Sequence, residues 1–300
     1  MLIRFAAPCA VGHDEARSSE PQARATGTVE TNLDKIRAYY AAFDEWGRLD
    51  TPEGARELVR ALEILADRLP PGARVLDLGG GPGRYAIELA KHGHRVVLAD
   101  LSPELLEVAR HRVAEAGLSD IESFDVVNAT DLGRYAGESF DAVIAFGPFY
   151  HLVDDGERRR AAAEIRRVLV PQGQAYIAFI PRLSGLIGLI DRAANRPGQV
   201  PEAVLRTAAD TGVFSNATTS GFQEGYYPLP SELEQLFVSS GFHIEDMLSL
   251  KSIANDRADG VARLQPTARV EVERLSRALC RQPEIIATCG HALLVVKKSG

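Results

Sequence analysis

Val75-Leu76-Asp77-Leu78-Gly79-Gly80-Gly81-Pro82-Gly83-Arg84 joins a short apolar run to the start of a helical pattern through four glycines within five residues. A loop of this kind lets the backbone approach a ligand closely at the N-terminus of a helix. Counting excludes two phosphate-binding loops. A dinucleotide fingerprint needs Gly-x-Gly-x-x-Gly, but the last position falls on Arg84 when counted from Gly79 and on Ala86 when counted from Gly81. A nucleotide-hydrolase loop needs Gly-Lys-Ser/Thr after the glycines, and that is absent too. What stands here is Asp-x-Gly-x-Gly-x-Gly, at Asp77, Gly79, Gly81 and Gly83.

Outward from this loop, β-rich runs at 74–78, 95–100, 121–128 and 140–146 alternate with helical ones at 85–92 and 103–116. Such alternation predicts a parallel sheet with crossover helices. Ser102-Pro103-Glu104 is a helix start and Gly117 a stop. A further helical face at Ala161, Ile165, Val168 and Leu169 is halted by Pro171-Gln172-Gly173 before a fifth strand at 174–180.

On the N-terminal side, Leu33, Ile36, Tyr40 and Phe43 follow the capping residue Asn32 at helical spacing. A second helix begins at Thr51-Pro52-Glu53, with Leu58, Leu62, Leu65 and Leu69 on one face, and ends at Pro70-Pro71-Gly72. Residues 1–28 read as a disordered leader. On the C-terminal side, 181–230 show no clean period and are rich in Gly, Pro, Ser and Thr, which suggests a lid inserted into the sheet. The pattern resumes with a helix at 231–240, a strand at 243–250, a charged helix at 268–279 and a last strand at 292–296. The expected organisation is therefore leader 1–28, helical cap 29–71, core 72–180, insertion 181–230 and completion of the core at 231–300.

The 300 residues carry 34 Lys+Arg against 41 Asp+Glu, a net charge of −7, so a polyanionic partner is repelled and nucleic acid is not expected. Cys9, Cys280 and Cys289 form no Cys-x-x-Cys pair, which argues against a zinc cage or disulfide framework and fits a reducing cytoplasmic setting. The apolar stretch 175–190 is interrupted by Pro181 and Arg182, short of the ~20 residues of a membrane helix. No membrane association and no metal are expected.

The Asp77–Gly83 pattern resembles motif I of the class I S-adenosylmethionine-dependent methyltransferases, and further segments match in order. Asp100 ends the second strand, where the family's acid takes both ribose hydroxyls; Leu101 follows it. Asn128-Ala129-Thr130-Asp131-Leu132 resembles the segment that meets the adenine, with Asn128 in place of the usual acid. Asn still accepts a hydrogen bond, so the change costs charge and keeps the acceptor. Phe140 to Leu152 resembles motif IV, beside the transferable methyl, and Pro171-Gln172-Gly173 resembles the turn before strand five. The resemblance implies a seven-stranded, mostly parallel sheet with helices on both faces, strand order 3-2-1-4-5-7-6, the last strand antiparallel. It also implies S-adenosylmethionine as cofactor, held by Asp77, Gly79, Gly81, Gly83, Arg84, Asp100, Leu101, Asn128, Ala129 and Phe146. Asp77 would face the ammonium, and the helix starting near Gly83 would offer N–H groups to the carboxylate.

The sulfonium carries its own leaving group, so such an enzyme needs mainly to align a nucleophile behind the methyl and exclude water. Asn/Asp-Pro-Pro-Tyr after strand four would point to a planar amine, but here the positions read Gly147-Pro148-Phe149-Tyr150. A small-molecule acceptor in specialised metabolism, methylated on O, N or C, is the better expectation. His151 is the candidate general base, because its reference pKa of about 6.5 suits the task. Tyr40, Trp46, His151, Arg182 and Tyr226 are candidate acceptor contacts. Tyr39 joins Tyr40 and Trp46 on the segment expected to cover the cofactor, where lid and plain core are equal readings. Phe214, Phe222, Tyr226 and Tyr227 are expected to shape a pocket, and Arg158-Arg159-Arg160 to be the exposed start of a helix. The same residues allow a cofactor-binding regulatory protein that transfers nothing. Aminopropyl transfer would want acids near strand four, and Phe146 to Leu152 has none. A homodimer is compatible with all of this.

Overall fold

The computed structural model describes residues 36, 40, 43–215 and 224–300. The expected leader, Tyr39, Phe222 and most of the first expected helix lie outside the described residues; Ile36 and Tyr40 are both helical. A short helix α1 (Glu45–Arg48) leads into α2 (Pro52–Ala66), which Thr51 caps through its side chain. Then follow β1 (Arg74–Leu78), α3 (Arg84–Lys91), β2 (Arg95–Asp100), α4 (Pro103–Glu115), β3 (Ile121–Val126), β4 (Phe140–Ala145), α5 (Asp155–Val168) and β5 (Leu169–Phe179). The fifth strand starts earlier than expected, and the Pro171–Gly173 turn sits inside it as a kink with Gln172 at φ 65°.

The insertion is the main departure from the sequence reading. The described residues of 181–230 form α6 (Arg182–Asn195), α7 (Glu202–Thr211) and an antiparallel ribbon of β6 (Val213–Ser215) with β7 (Glu224–Tyr226). They build their own small core of Leu189, Ala208, Phe214 and Tyr227, in which the last two rings stack at 4.4 Å. Gly185 obscured the helical pattern and is needed there, since a Cβ would meet the Tyr227 ring at 2.2 Å. The chain closes with α8 (Pro230–Ser239), β8 (Phe242–Ser249), a helix at Pro266–Leu279 and β9 (Ala292–Lys298).

The seven-stranded sheet runs β3-β2-β1-β4-β5-β9-β8, parallel except for β9, which is antiparallel to both neighbours. This is the expected order. Away from the register shifts in β2, β4 and β8, side chains alternate between its faces. Leu76, Val97, Val143 and Ile177 face α5 and α8, whereas Val75, Leu98, Ile144 and Tyr176 face α2, α3 and α4. Asp77, between Leu76 and Leu78, points to the second face, so a carboxylate occupies a core position and is 1% exposed.

Two surface readings change. α2 turns Gly54, Glu57, Ala61, Ile64 and Leu65 inward and leaves Leu58 and Leu62 only partly buried. Arg158, expected to be solvated, is buried: it donates to the carbonyls of Leu152 and Val153 at 2.7 and 2.9 Å, and its guanidinium lies 3.8 Å over the Tyr226 ring. Among the described residues no helix is long and apolar enough to cross a membrane.

Candidate active site

A cleft of about 1030 Å³, open solvent at its mouth included, lies at the C-terminal ends of β1, β2 and β4, where open parallel sheets hold their ligands. Its floor is the glycine loop. Gly79, Gly81 and Gly83 all have positive φ, 72°, 54° and 86°, which explains glycine at every second position. Gly83 is the left-handed cap of α3 and packs behind the loop against Leu98 and Ala109, whereas Gly79, Gly81 and Arg84 line the cleft. The loop is tied to β2: Gly79 N–H donates to Ala99 O at 2.7 Å and Gly81 N–H to the Asp100 carboxylate at 2.8 Å.

Two acids meet here. One Asp77 oxygen accepts from the Ala86 N–H of α3, and Oδ2 is buried without a hydrogen-bond partner. Burial, and then the charge of Asp100, push the Asp77 carboxyl up to about 8. Asp100 accepts from the N–H groups of Gly81 and Ser102, each at 2.8 Å, and is also raised, by burial. The Leu101 N–H also donates to this carboxylate. Leu101, Asn128 and Ala129 continue the wall; the Asn128 amide oxygen accepts from Thr130 N–H at 3.0 Å.

The opposite wall comes from β4 and the N-terminal segment. Phe146 packs edge-on to Tyr85 at 4.7 Å, and a 3₁₀ turn at Pro148–Tyr150 delivers Tyr150 and His151. His151 is 7% exposed, and burial pushes its imidazole down to about 3, so it is neutral at physiological pH. Its Nε2 is hydrogen-bonded to the Tyr40 hydroxyl at 2.8 Å.

Sequence reasoning missed the charged part of this wall. Glu45 and Arg48, one turn apart on α1, both line the cleft, as do Tyr85 and Tyr150. Arg48 Nε donates to Glu45 at 2.8 Å and Nη1 to Glu57 at 3.2 Å. Glu57 is 2% exposed and also accepts from His291 Nδ1 at 2.9 Å. Burial opposes its ionisation, but His291, Arg48 and Lys251 hold it below the usual carboxylate range. Arg48 in turn stays charged because Glu57 and Glu45 outweigh its burial. The only local signal was the Glu45/Arg48 spacing, which reads equally well as a solvated helix pair.

Three candidates stand away from the cleft. Trp46 lies on the outer side of α1 with Arg84 and Arg112 each 4.6 Å from its ring centre. Arg182, expected to meet an acceptor, is buried in an ion pair with Glu232 at 2.6 Å and donates to Tyr227 O at 3.2 Å. The Tyr226 hydroxyl donates to the same carboxylate at 3.0 Å. Arg182 and Tyr226 thus fasten the insertion to α8, and Phe214 and Tyr227 form its core instead of a pocket.

Residues 75–173 match the family model of the methyltransferase domain. A ubiquinone biosynthesis O-methyltransferase of Xanthomonas axonopodis pv. citri is 31% identical over 175 residues, which span 57% of this chain and 70% of that one. Methyltransferase GfsG of Streptomyces halstedii is 37% identical over 152 residues, 48% of this chain and 53% of that one. Among solved structures, a methyltransferase from Methanosarcina mazei shares the fold with a TM-score of 0.56 at 20% identity, covering 79% of this chain and 97% of its own. The 1,6-didemethyltoxoflavin-N1-methyltransferase of Burkholderia thailandensis, solved with S-adenosylhomocysteine, gives 0.55 at 18%, covering 90% and 87%. The fold and the glycine-lined cleft define a methyltransferase domain. The chain belongs to the class I S-adenosylmethionine-dependent methyltransferases, and S-adenosylmethionine is its cofactor.

The residues present suit that cofactor. Asp77 Oδ2, buried and unsatisfied, requires a donor such as an ammonium. A Cβ on Gly81 would have only Glu45 Cγ at 3.6 Å and Leu105 Cδ1 at 3.8 Å as neighbours, so that side of the loop is open to a ligand.

Proposed function

We propose that this enzyme methylates a small-molecule acceptor by direct in-line displacement, with a hydroxyl oxygen as the atom best served by the site and nitrogen and carbon as the other acceptors. Asp77 takes the cofactor's ammonium, Arg48 its carboxylate, and Asp100 the ribose hydroxyls. Leu101, Asn128 and Ala129 flank the adenine, and Phe146 lies beside the reacting end. Gly79, Gly81 and Arg84 complete the floor, with Gly83 setting the start of α3. When bound, the cofactor supplies a methyl group already attached to a good leaving group.

The observation that carries the reading is the ring-walled end of the cleft, where Tyr40, Tyr150 and His151 meet. Three rings leave a slot that suits a small flat molecule and excludes bulk water. His151 is the proposed general base. An imidazole pushed down to about 3 does not strip a proton from a neutral hydroxyl in advance. It does accept one from an oxygen that is gaining a methyl group, because that oxygen becomes far more acidic than imidazolium. A methylated amine is a stronger base than this imidazole and keeps its proton. The O-methyltransferase name of the Xanthomonas relative agrees with oxygen.

The test is S-adenosylhomocysteine formation, measured with the purified protein against panels of phenols, enols, carboxylic acids and amines. Turnover with hydroxyl compounds and a loss of about 100-fold in His151→Ala are expected. Binding of S-adenosylhomocysteine without turnover on any panel would remove the small-molecule reading.

A further inference from the structure

The Asp100 carboxylate is nearly full before any ligand arrives. Gly81 N–H donates to Oδ2 and Ser102 N–H to Oδ1, each at 2.8 Å, and the Leu101 N–H donates as well. A carboxylate has about four lone-pair sites, so these backbone donors leave roughly one for a ribose that brings two hydroxyls. A second acceptor is needed beside Asp100, because a hydroxyl taken out of water without a full partner costs affinity. Glu45 of the opposite wall is within reach. A Cβ on Gly81 would meet the Glu45 Cγ at 3.6 Å, so this side chain lies over the residue whose N–H Asp100 holds, and it lines the same cleft. Its Oε1 accepts from Arg48 Nε at 2.8 Å; among the described residues Oε2 has no hydrogen-bond partner, and the side chain is 18% exposed. Burial raises the Asp100 carboxyl and the charge of Glu45 adds to it, as expected of two acids that face one site.

We propose that Glu45 shares the cofactor's ribose diol with Asp100, its Oε2 accepting the hydroxyl that Asp100 cannot hold in full. This rests on the proposed placing of the ribose at Asp100. Glu45 and Arg48 are one turn apart on α1 and bonded to each other, so this helix reads the cofactor at two points: the diol through Glu45 and the amino-acid carboxylate through Arg48. An adenosine without the amino-acid tail engages only the first, and an analogue without the shared hydroxyl only the second. The helix α1 is thereby a specificity determinant for the complete molecule.

Calorimetry on the full-length protein with S-adenosylhomocysteine and its 2′-deoxy and 3′-deoxy analogues tests this without an acceptor. Glu45→Ala is expected to weaken S-adenosylhomocysteine about tenfold, and Glu45→Gln, whose amide oxygen still accepts, about threefold. The wild type is expected to lose affinity for both deoxy analogues. For one of the two, Glu45→Ala should add less than about a further twofold, because the hydroxyl it serves is already gone. A second probe, 5′-methylthioadenosine, keeps the diol and lacks the carboxylate, and Glu45→Ala should weaken it about as much as S-adenosylhomocysteine. Equal losses for S-adenosylhomocysteine and both deoxy analogues, or an unchanged affinity for 5′-methylthioadenosine, overturn the proposal and leave Glu45 as a brace for Arg48. Wild-type affinity for S-adenosylhomocysteine in Glu45→Ala overturns it as well. Asp100→Ala separates the proposal from its basis: a loss there with none in Glu45→Ala strikes Glu45 alone, whereas wild-type affinity in Asp100→Ala strikes the placing of the ribose and Glu45 with it.

Discussion

The two halves of the cleft are built by different means. One half is a run of strand ends between Asp77 and Ala129, each followed by its own loop, and its polar groups are placed by hydrogen bonds within that run, as between Gly81 and Asp100. The other half brings together Tyr40, Arg48 and His151 from distant stretches, and its charges are set by long-range partners: Glu57 on α2 and His291 before β9. Local placement yields a cofactor platform that tolerates a changing surround. Distant placement makes the opposite wall, Arg48 included, depend on partners that no single segment supplies.

The largest effect is expected in the first half. Asp100→Ala removes an acceptor for two hydroxyls, worth roughly 1.5–3 kcal/mol each, so the affinity for S-adenosylhomocysteine should fall at least about 100-fold by calorimetry. Wild-type affinity in this variant would place the ribose elsewhere and break the comparison at its root.

Next is the anchor of the second half. Glu57→Gln leaves Arg48, His291 and Lys251 around a neutral amide, and breaking a buried pair of this kind costs about 3 kcal/mol in urea unfolding at pH 7. The folded state lowers the Glu57 pKa, so its contribution is present above the unfolded value near 4.3 and is lost as pH falls through the depressed folded value. The variant should therefore show a flatter acid limb than the wild type. Equal stability of the two at pH 7 would mean that the network does not anchor α1.

Asp77 sharpens the contrast, because its unusual state comes from the first half alone. Its folded pKa of about 8 lies above the ordinary value near 3.9, so in the ligand-free protein the proton is held at pH 7. That proton binding stabilises the fold below about 3.9, and the benefit is lost as pH rises through about 8. A bound ammonium favours the carboxylate and lowers the pKa again, so uptake of S-adenosylhomocysteine should release a proton. Affinity should rise with pH towards 8 by up to about tenfold per unit. Calorimetry in buffers of different ionisation enthalpy reads the release directly, and Asp77→Asn should abolish it. Proton uptake, or no exchange, would show that Asp77 does not meet the ammonium.

The same contrast explains what the sequence made legible. The glycine spacing, Asp100 and the alternation of strand and helix could be read because each depends on a strand, a loop and a helix contiguous in the chain, whereas the strand order came with the family resemblance. Glu57 could not: the leucines of α2 mark a plausible apolar face, and only partners at 48, 251 and 291 rotate the helix so that a carboxylate goes inward. Arg182 and Arg158 failed for the same reason, since an arginine's solvation depends on whether Glu232 or a loop carbonyl is within reach. The insertion hid two helices because Gly185 accommodates Tyr227, a contact across 42 residues that no local period reports.

The smallest effect lies where the halves meet. Trp46 holds the outer face of α1 between Arg84 of α3 and Arg112 of α4, at 4.6 Å from each, while Glu45 and Arg48 on the same helix face the cleft. Each guanidinium over a half-buried indole contributes about 0.5–1 kcal/mol. Arg84 also pairs with Asp50 at 2.7 Å and lines the cleft, so its removal would mix several effects; Arg112 does neither. Arg112→Met should therefore loosen α1 selectively and weaken S-adenosylhomocysteine binding by about two- to fourfold, through Arg48, with the unfolding midpoint almost unchanged. Trp46 is the single tryptophan of the chain, so its emission reports on α1 directly. In the wild type the ligand should leave the emission maximum in place, because the indole is already clamped, whereas in Arg112→Met the unliganded maximum should lie to the red and return on binding. A variant with wild-type emission and affinity would show that α1 is held from the inside alone, by Arg48 on Glu57.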